Sequence, residues 1–550
     1  MRTTFWFISC IFLVWFSSRA QNIVTPETVT NPIQSKNTGK IIFLAKPVKT
    51  EDLKETDFLE CITFRKDENL YLRIFTANTL TNFLHELSPE STSEELLKNG
   101  NFQFSFYVDD KLIYSENLNA RAGTVENKNK ATTLQIPLFS TAQEDSWGRY
   151  LWSRFYFANG GEDALFSGKH LLKIEIRPYL KSGGTVKTGN LIAQGTIKTD
   201  AVPVTIDETQ IAVQKIKPVQ EWKISSSKFD TLLIRNLNQR ILEKRFKEIS
   251  SIAVIKKGEL LLEEYFNGAD RNKLHDTRSV GKSFASTVMG IAIKDGFIRN
   301  ENETLSQFYD LKKFANYSAE KEKVTIKSLL TMSSGFDGSD QDENSPGNEE
   351  NMYPTDNWVK FGLDLPMDSK KQIGKNWDYF TAGVVMLGDI LNQRVPNGLE
   401  NYAEKKLFGP LGIKEYKWQY TPQKVANTAG GLGLRTLDLA KYGQLYQNKG
   451  LWNGKQLLSK EWIQKSFTNY FPNDENVPGY GFLFWKEIFT VNGKTYETFG
   501  CSGNGGNKVY IFKDIPLVVV VTATAYNKSY AHPQVKRIMQ EFLLPAVITD

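Results

Sequence analysis

Between about residue 41 and residue 200, hydrophobic positions fall on alternate residues or in short runs broken by turns. Phe102, Phe104 and Phe106 alternate with Gln103, Ser105 and Tyr107 up to Val108. Asp109-Asp110 then supplies a turn, and Lys111-Leu112-Ile113-Tyr114 returns. This is the pattern of a hairpin with one buried face. Leu171 to Ile176 and Leu191 to Ile197 repeat it, with glycine-containing turns between. Short strands spaced by turns predict an N-terminal all-β, sandwich-like domain over residues 41–202. Residues 21–40, rich in Asn, Thr and Pro, and residues 203–227, with scattered Pro and Ser, lack a sustained period and read as linkers.

From Phe229 to Phe246 the period changes to three and four, with Leu232, Leu233, Leu237, Ile241 and Leu242 on one side. That predicts an amphipathic helix. Ile252 to Ile255 and Leu260 to Tyr265, joined through Lys257-Gly258, predict a strand hairpin. Leu517 to Thr522 predicts a terminal strand, and Val535 to Phe542 a last helix after Pro533. Residues 228–550 therefore read as a mixed α/β or α+β domain. Within it, Val280 to Ile293 is small and apolar nearly all round, the mark of a helix buried at a domain's centre.

Composition narrows the classes. The chain has 550 residues, 40% hydrophobic and 24% charged, too many for one ordinary core. Its net charge of +6 is spread without a basic block, so nucleic acid is not an expected partner. Residues 1–20 carry Arg2, an apolar run from Phe5 to Phe16, and the small-x-small sequence Ser18-Arg19-Ala20. This is the pattern of a secretory signal peptide, and it predicts an exported protein, periplasmic or extracellular after cleavage. Cys10 lies inside the apolar run, which argues against a lipidated cysteine. No later run reaches the length of about 18 apolar residues expected of a membrane span. Cys61 and Cys501 fall in different predicted domains, so no disulfide is expected. The four histidines, His85, His170, His275 and His532, have no metal-ligand spacing, and no metal or other cofactor is predicted. In the acidic stretch Asp337 to Glu350, Asp340-x-Asp342-x-Asn344 resembles the start of a calcium loop, but Ser345 and Asn351 stand where Gly and Glu are needed; a solvated loop beside the mouth of the site is the expectation.

The stretch Thr277-Arg278-Ser279-Val280-Gly281-Lys282-Ser283 bears two chemical readings. As a phosphate-binding loop it would need glycine at 276, where Asp276 puts a side chain and a negative charge. As a Ser-x-x-Lys pair it places Ser279 and Lys282 on one face of the first turn of the buried helix. Ser225 to Lys228 and Ser318 to Lys321 share the tetrapeptide but lie in polar, surface-like stretches. A serine hydroxyl is a poor nucleophile without a base. Lys282 either takes the proton itself or stabilises a second base. The bland alternative is a capping serine beside a solvated lysine, which the apolar helix disfavours.

His275 to Phe284 resembles the active-site segment of the serine β-lactamase and penicillin-binding-protein superfamily, in its class C-like esterase and 6-aminohexanoate-dimer hydrolase branch. Val324 to Gly335, Pro410-Leu411-Gly412-Ile413 and Gly430 to Lys441 resemble further stretches of that family, in family order. The likeness covers residues 228–550 and implies a β-lactamase-like domain, an antiparallel sheet flanked by helices. It also implies that Tyr379, in Asn376 to Gly383, is the proton relay. Ser502, Gly503 and Asn504 would border the substrate, the Asn504 N–H joining that of Ser279 as oxyanion donor. Thr381 stands where many relatives carry Asn, and Cys501 where many carry a cationic Lys or His. Both departures weaken recognition of β-lactams or D-Ala-D-Ala and leave acyl transfer intact. Gly500 to Asn504 nearly matches a nucleophile elbow but lacks its last glycine. Cys501 as a nucleophile has no neighbouring histidine. His275 reads as structural.

The reading is an exported serine hydrolase for a small ester or amide, or a peptide. It would act through Ser279, Lys282 and Tyr379, with no cofactor. β-Lactamase or D-amino-acid peptidase activity, and a non-catalytic sensor on the same fold, are the competing readings. The role of residues 41–202 is open.

Overall fold

The computed structural model describes residues 21–548 except 65, 121, 142–146, 203–205, 473–476 and 478. The predicted signal peptide lies outside the described residues. The chain divides into two compact units, Met1–Val204 and Thr205–Asp550.

The second unit is built on an antiparallel six-stranded sheet. Its order is Glu259–Tyr265, Ile249–Lys256, Leu517–Ala523, Asn507–Phe512, Lys494–Gly503 and Trp485–Val491. The central strand Leu517–Ala523 is buried along its whole length because both faces are covered. Alternate side chains leave opposite faces of a strand. Val518 and Val520 accordingly join the core of helix Val280–Lys294, while Val519 and Val521 join that of helix Thr231–Leu242 and the C-terminal helices. The run Val518-Val519-Val520-Val521 is thus a strand between two helical layers. Asp230 starts helix Thr231–Leu242 by accepting the N–H groups of Leu232 and Leu233. Residues Val280 to Ala292 of the other helix are all buried, as its apolar circumference requires.

The described part of the stretch expected as a linker, 206–227, packs on this second unit. Trp222 is buried in its core, and the Gln214 backbone N–H donates to Glu264 (2.9 Å). Ile224 forms a bridge to Leu260. The segment covers the open edge of strand Glu259–Tyr265, whose N–H and C=O groups need partners.

The first unit has a six-stranded sheet, with strands Cys61–Phe64, Ala193–Ala201, Gly168–Ser182, Gly100–Val108 and Lys111–Asn117 in order and Thr185–Thr188 alongside Gly168–Ser182. A three-stranded sheet is formed by Ile41–Leu44, Leu70–Phe75 and Thr133–Phe139. Both contribute to one core. The unit is not all-β: helices Leu80–Leu87, Ser93–Asn99, Val125–Lys130 and Trp147–Ser153 stand among the strands. Their start signals are local. Thr79, Thr92 and Thr124 each cap the following helix with a side-chain oxygen, and Thr92 and Glu95 form a capping box. Alternation in the neighbouring strands overshadows these short periods.

His275 pairs with Leu434 across a short ladder, and its Nε2 lies 3.2 Å from Thr436 Oγ1. Burial, with the charge of Lys273, pushes its titration down from 6.5 to about 4. An unfolded chain would bind the proton as pH falls through 6.5, whereas the folded one waits until about 4. The folded state therefore loses stability as pH drops across that window. In urea unfolding at pH 6.5 and at about pH 4, His275→Gln is expected to lose less stability between the two than the wild type. An equal loss would contradict a neutral buried imidazole.

Candidate active site

Ser279 stands immediately before helix Val280–Lys294, with φ −62° and ψ −4°, and its side chain caps no helix N–H. The capping alternative therefore does not apply. The residue before it, Arg278, has φ 51°, a left-handed conformation uncommon in a non-glycine residue. Asp276 holds this turn: one carboxylate oxygen accepts the Arg278 N–H (3.2 Å), and the other pairs with the Arg278 guanidinium (3.2 Å). That guanidinium lies 4.5 Å above the Tyr526 ring, and the Thr277 hydroxyl donates to the Leu432 carbonyl (2.6 Å). The side chain that spoils a phosphate loop thus anchors the turn that presents Ser279.

Lys282, 2% exposed, donates to Ser279 Oγ at 3.2 Å and to the Ala429 carbonyl. Among the described residues no carboxylate forms an ion pair with it. Its amine also lies 5.1 Å from the centroid of the Tyr379 ring. The contact is with the ring face, to which ammonium is attracted. Tyr379 is in turn stacked against Trp485, centroids 5.7 Å apart, and near Trp377 at 6.3 Å. The fold thus brings Ser279, Lys282 and Tyr379 together from a helix start and the stretch before helix Thr381–Arg394.

The strand Lys494–Gly503 ends against the Ser279 turn. A Cβ on Gly503 would sit 2.1 Å from the Thr277 carbonyl oxygen, so only glycine permits this approach. Asn504 follows; its side chain is tied to Asn527, whose N–H donates to Asn504 Oδ1 (2.8 Å). Strand alternation turns Cys501 and Ser502 to opposite sides. Cys501 is 1% exposed within the helix-side core, and burial pushes its thiol up to about 12. An inert thiol buried there neither attacks nor meets a substrate carboxylate. Ser502 is half-buried and does not line the cavity.

That cavity, about 300 Å³, is walled by Ser279, Thr381 and Asn504 together with Glu349, Tyr353 and Trp358. Glu349, and Asp340 behind it, belong to the acidic loop expected beside the active-site mouth, whereas Tyr353 and Trp358 were not foreseen in the sequence. Asp340 Oδ2 accepts the Thr381 N–H (2.8 Å) and Oδ1 the Glu349 N–H (3.0 Å), joining the loop that looked like half a calcium site to the Tyr379 segment. Burial first, and the charge of Glu349 second, raise the Asp340 carboxyl to about 6. Glu349 accepts the Tyr353 hydroxyl (2.6 Å). The sequence signal that could have pointed to Tyr353 and Trp358 is the acidic loop's place directly after the Val324 to Gly335 motif. Among the described residues no three His, Cys, Asp or Glu side chains are grouped to hold a metal ion, and no helix is long and apolar enough to cross a membrane.

Comparison with known proteins gives a match to the family model described as Beta-lactamase over residues 241–540. An uncharacterized protein of Alkalihalophilus pseudofirmus is 25% identical over 299 residues, covering 48% of this chain and 77% of that protein. Among solved structures, a penicillin-binding protein homologue from Caulobacter crescentus aligns with TM-score 0.45 and 15% identity, over 58% of this chain and 98% of that one. A D-stereospecific amidohydrolase from a Streptomyces species aligns with TM-score 0.41 and 16% identity, over 53% of this chain and 93% of that one.

The close approach at Gly503 is testable on its own. Gly503→Ala is expected to cost about 1–3 kcal/mol through overpacking, read as a lowered melting temperature. A melting temperature equal to the wild type would contradict the contact with Thr277.

Proposed function

The chain belongs to the β-lactamase family, and from that premise we propose that it is a serine hydrolase that cleaves a neutral ester or amide through an acyl-enzyme on Ser279. The observation that carries the reading is the buried Lys282 amine, 3.2 Å from Ser279 Oγ and 5.1 Å from the Tyr379 ring centroid, behind the one residue of the three, Ser279, that lines the cavity. Ser279 Oγ attacks the substrate carbonyl carbon while its proton passes to the Lys282–Tyr379 pair. The backbone N–H groups of Ser279 and Asn504 receive the developing oxyanion. The same pair returns the proton to the leaving alcohol or amine as the carbonyl–heteroatom bond breaks. Water, deprotonated by the pair, then releases the acyl group as an acid and restores the Ser279 hydroxyl.

Neutral substrates are favoured by what surrounds this centre. Cys501 is buried where a cation would be needed to hold a substrate carboxylate. Arg278 is already paired with Asp276, and Glu349 adds an acidic wall. Export remains part of the proposal and rests on the sequence pattern of residues 1–20.

A panel of short and long acyl p-nitrophenyl esters, D-amino-acid amides and nitrocefin tests the reading. Turnover of a neutral ester or amide is expected, lost in Ser279→Ala and lowered about a hundredfold to ten-thousandfold in Lys282→Met and Tyr379→Phe. Nitrocefin hydrolysis without esterase or amidase activity would sink it. Glu349→Gln tests the acidic wall separately. It should raise kcat/KM for nitrocefin relative to a neutral ester by about fivefold, the effect of roughly 1 kcal/mol of charge repulsion in a solvated cleft. An unchanged ratio would remove Glu349 from the explanation of selectivity.

A further inference from the structure

The N-terminal unit contains a second cavity, of about 280 Å³, that the proposed hydrolysis does not use. Its apolar lining comes from several elements of that unit and includes Leu80, Phe102, Leu134, Ile136 and Trp147. A void of this kind is near the lower end of small-molecule sites, about 300–1,000 Å³. Two polar side chains that line it are out of keeping with a simple packing defect.

The first is Lys128, on helix Val125–Lys130, only 8% exposed. Its amine donates to the Ala120 carbonyl (2.7 Å), and among the described residues no carboxylate forms an ion pair with it. Lys130, on the same helix, instead lies at the surface and pairs with Glu126 (3.2 Å). The helix therefore offers an acid to its solvated lysine and none to its buried one. Burial lowers the titration of the Lys128 amine from the usual lysine range. An ammonium taken out of water without a counter-ion is destabilising, so the position gains from any anion that can enter. The second is Thr133, whose hydroxyl is buried without a hydrogen-bond partner. Such a group is costly unless something else satisfies it.

We propose that this cavity binds a small amphiphilic carboxylate, its head on the Lys128 amine and the Thr133 hydroxyl and its alkyl or aryl body against Phe102, Leu134, Ile136 and Trp147. Among the described residues Lys128 is the one charged side chain in the lining, which suits a single negative charge. The apolar lining suits an unbranched or aromatic body rather than a sugar or peptide. The unit would then be a ligand-binding module, independent of which substrate Ser279 accepts.

Isothermal titration of the full chain with octanoate, and with octanol as the neutral isostere, tests this. Octanoate is expected to bind at one site and more tightly than octanol. Lys128→Met should weaken octanoate at least tenfold, leave octanol unchanged and not lower the melting temperature, since it removes a buried unpaired charge. Thr133→Val should weaken octanoate severalfold, and it decides the matter if Lys128→Met does not fold. No octanoate binding to the wild type, or binding that neither folded variant weakens, would overturn the proposal.

Discussion

A lysine amine buried in a helical core, and bonded to a serine hydroxyl and a backbone carbonyl with no carboxylate among the described residues in ion-pair contact, is the constraint on which the second unit turns. Placing Lys282 there requires the helix Val280–Lys294 to be buried and mostly apolar round the rest of its circumference, with the Ser283 and Thr287 hydroxyls bonded inside the core, and the strand Leu517–Ala523 behind it to be buried on both faces. It also requires the loop through Ala429 to come within hydrogen-bond reach of a residue 147 positions earlier. In the proposed mechanism, a burial that looks unfavourable in isolation is what gives the site its reactivity. The amine cannot turn to solvent, so it stays on Ser279.

Two further restraints convert that proximity into a fixed geometry. Arg278 adopts a left-handed conformation that the Asp276 carboxylate and the Tyr526 ring hold in place, and strain of this sort persists only where the surroundings over-determine it. Gly503 lets the last residues of a core strand touch the same turn. Helix, strained turn and strand end thus meet at Ser279. The aromatic group of Trp377, Tyr379, Tyr480 and Trp485 packs the Tyr379 ring on the side of the sheet.

Much of this could be read from the sequence because it is local. A spacing of three on an apolar helix puts Ser279 beside Lys282, and a run of four valines between turn residues makes a doubly covered strand. Asp276 was legible as an obstacle to phosphate binding but not as the anchor of the turn, since that role depends on the left-handed backbone of Arg278 and on the distant Tyr526 ring beneath its guanidinium. The place of the acidic loop beside the site was legible, but the roles of Asp340 and Glu349 within it were not. Asp340 opened a spacing that resembled part of a cation loop, whereas in the fold it accepts backbone N–H groups, and Glu349 faces the cavity. The short helices of the N-terminal unit were missed because strand alternation on either side dominated the pattern. Their threonine caps were visible in the sequence all along.

The central claim is that Ser279 is the nucleophile and that the Lys282 amine makes it one. Peptide mapping by mass spectrometry after exposure to a fluorophosphonate tests both parts at once. A single phosphonyl adduct on Ser279 is expected in the wild type and none in Ser279→Ala. Labelling is expected to slow at least a hundredfold in a folded Lys282→Met variant, the lower end of the usual contribution of a positioned base. An adduct on another residue, or wild-type labelling rates without the lysine, would contradict it.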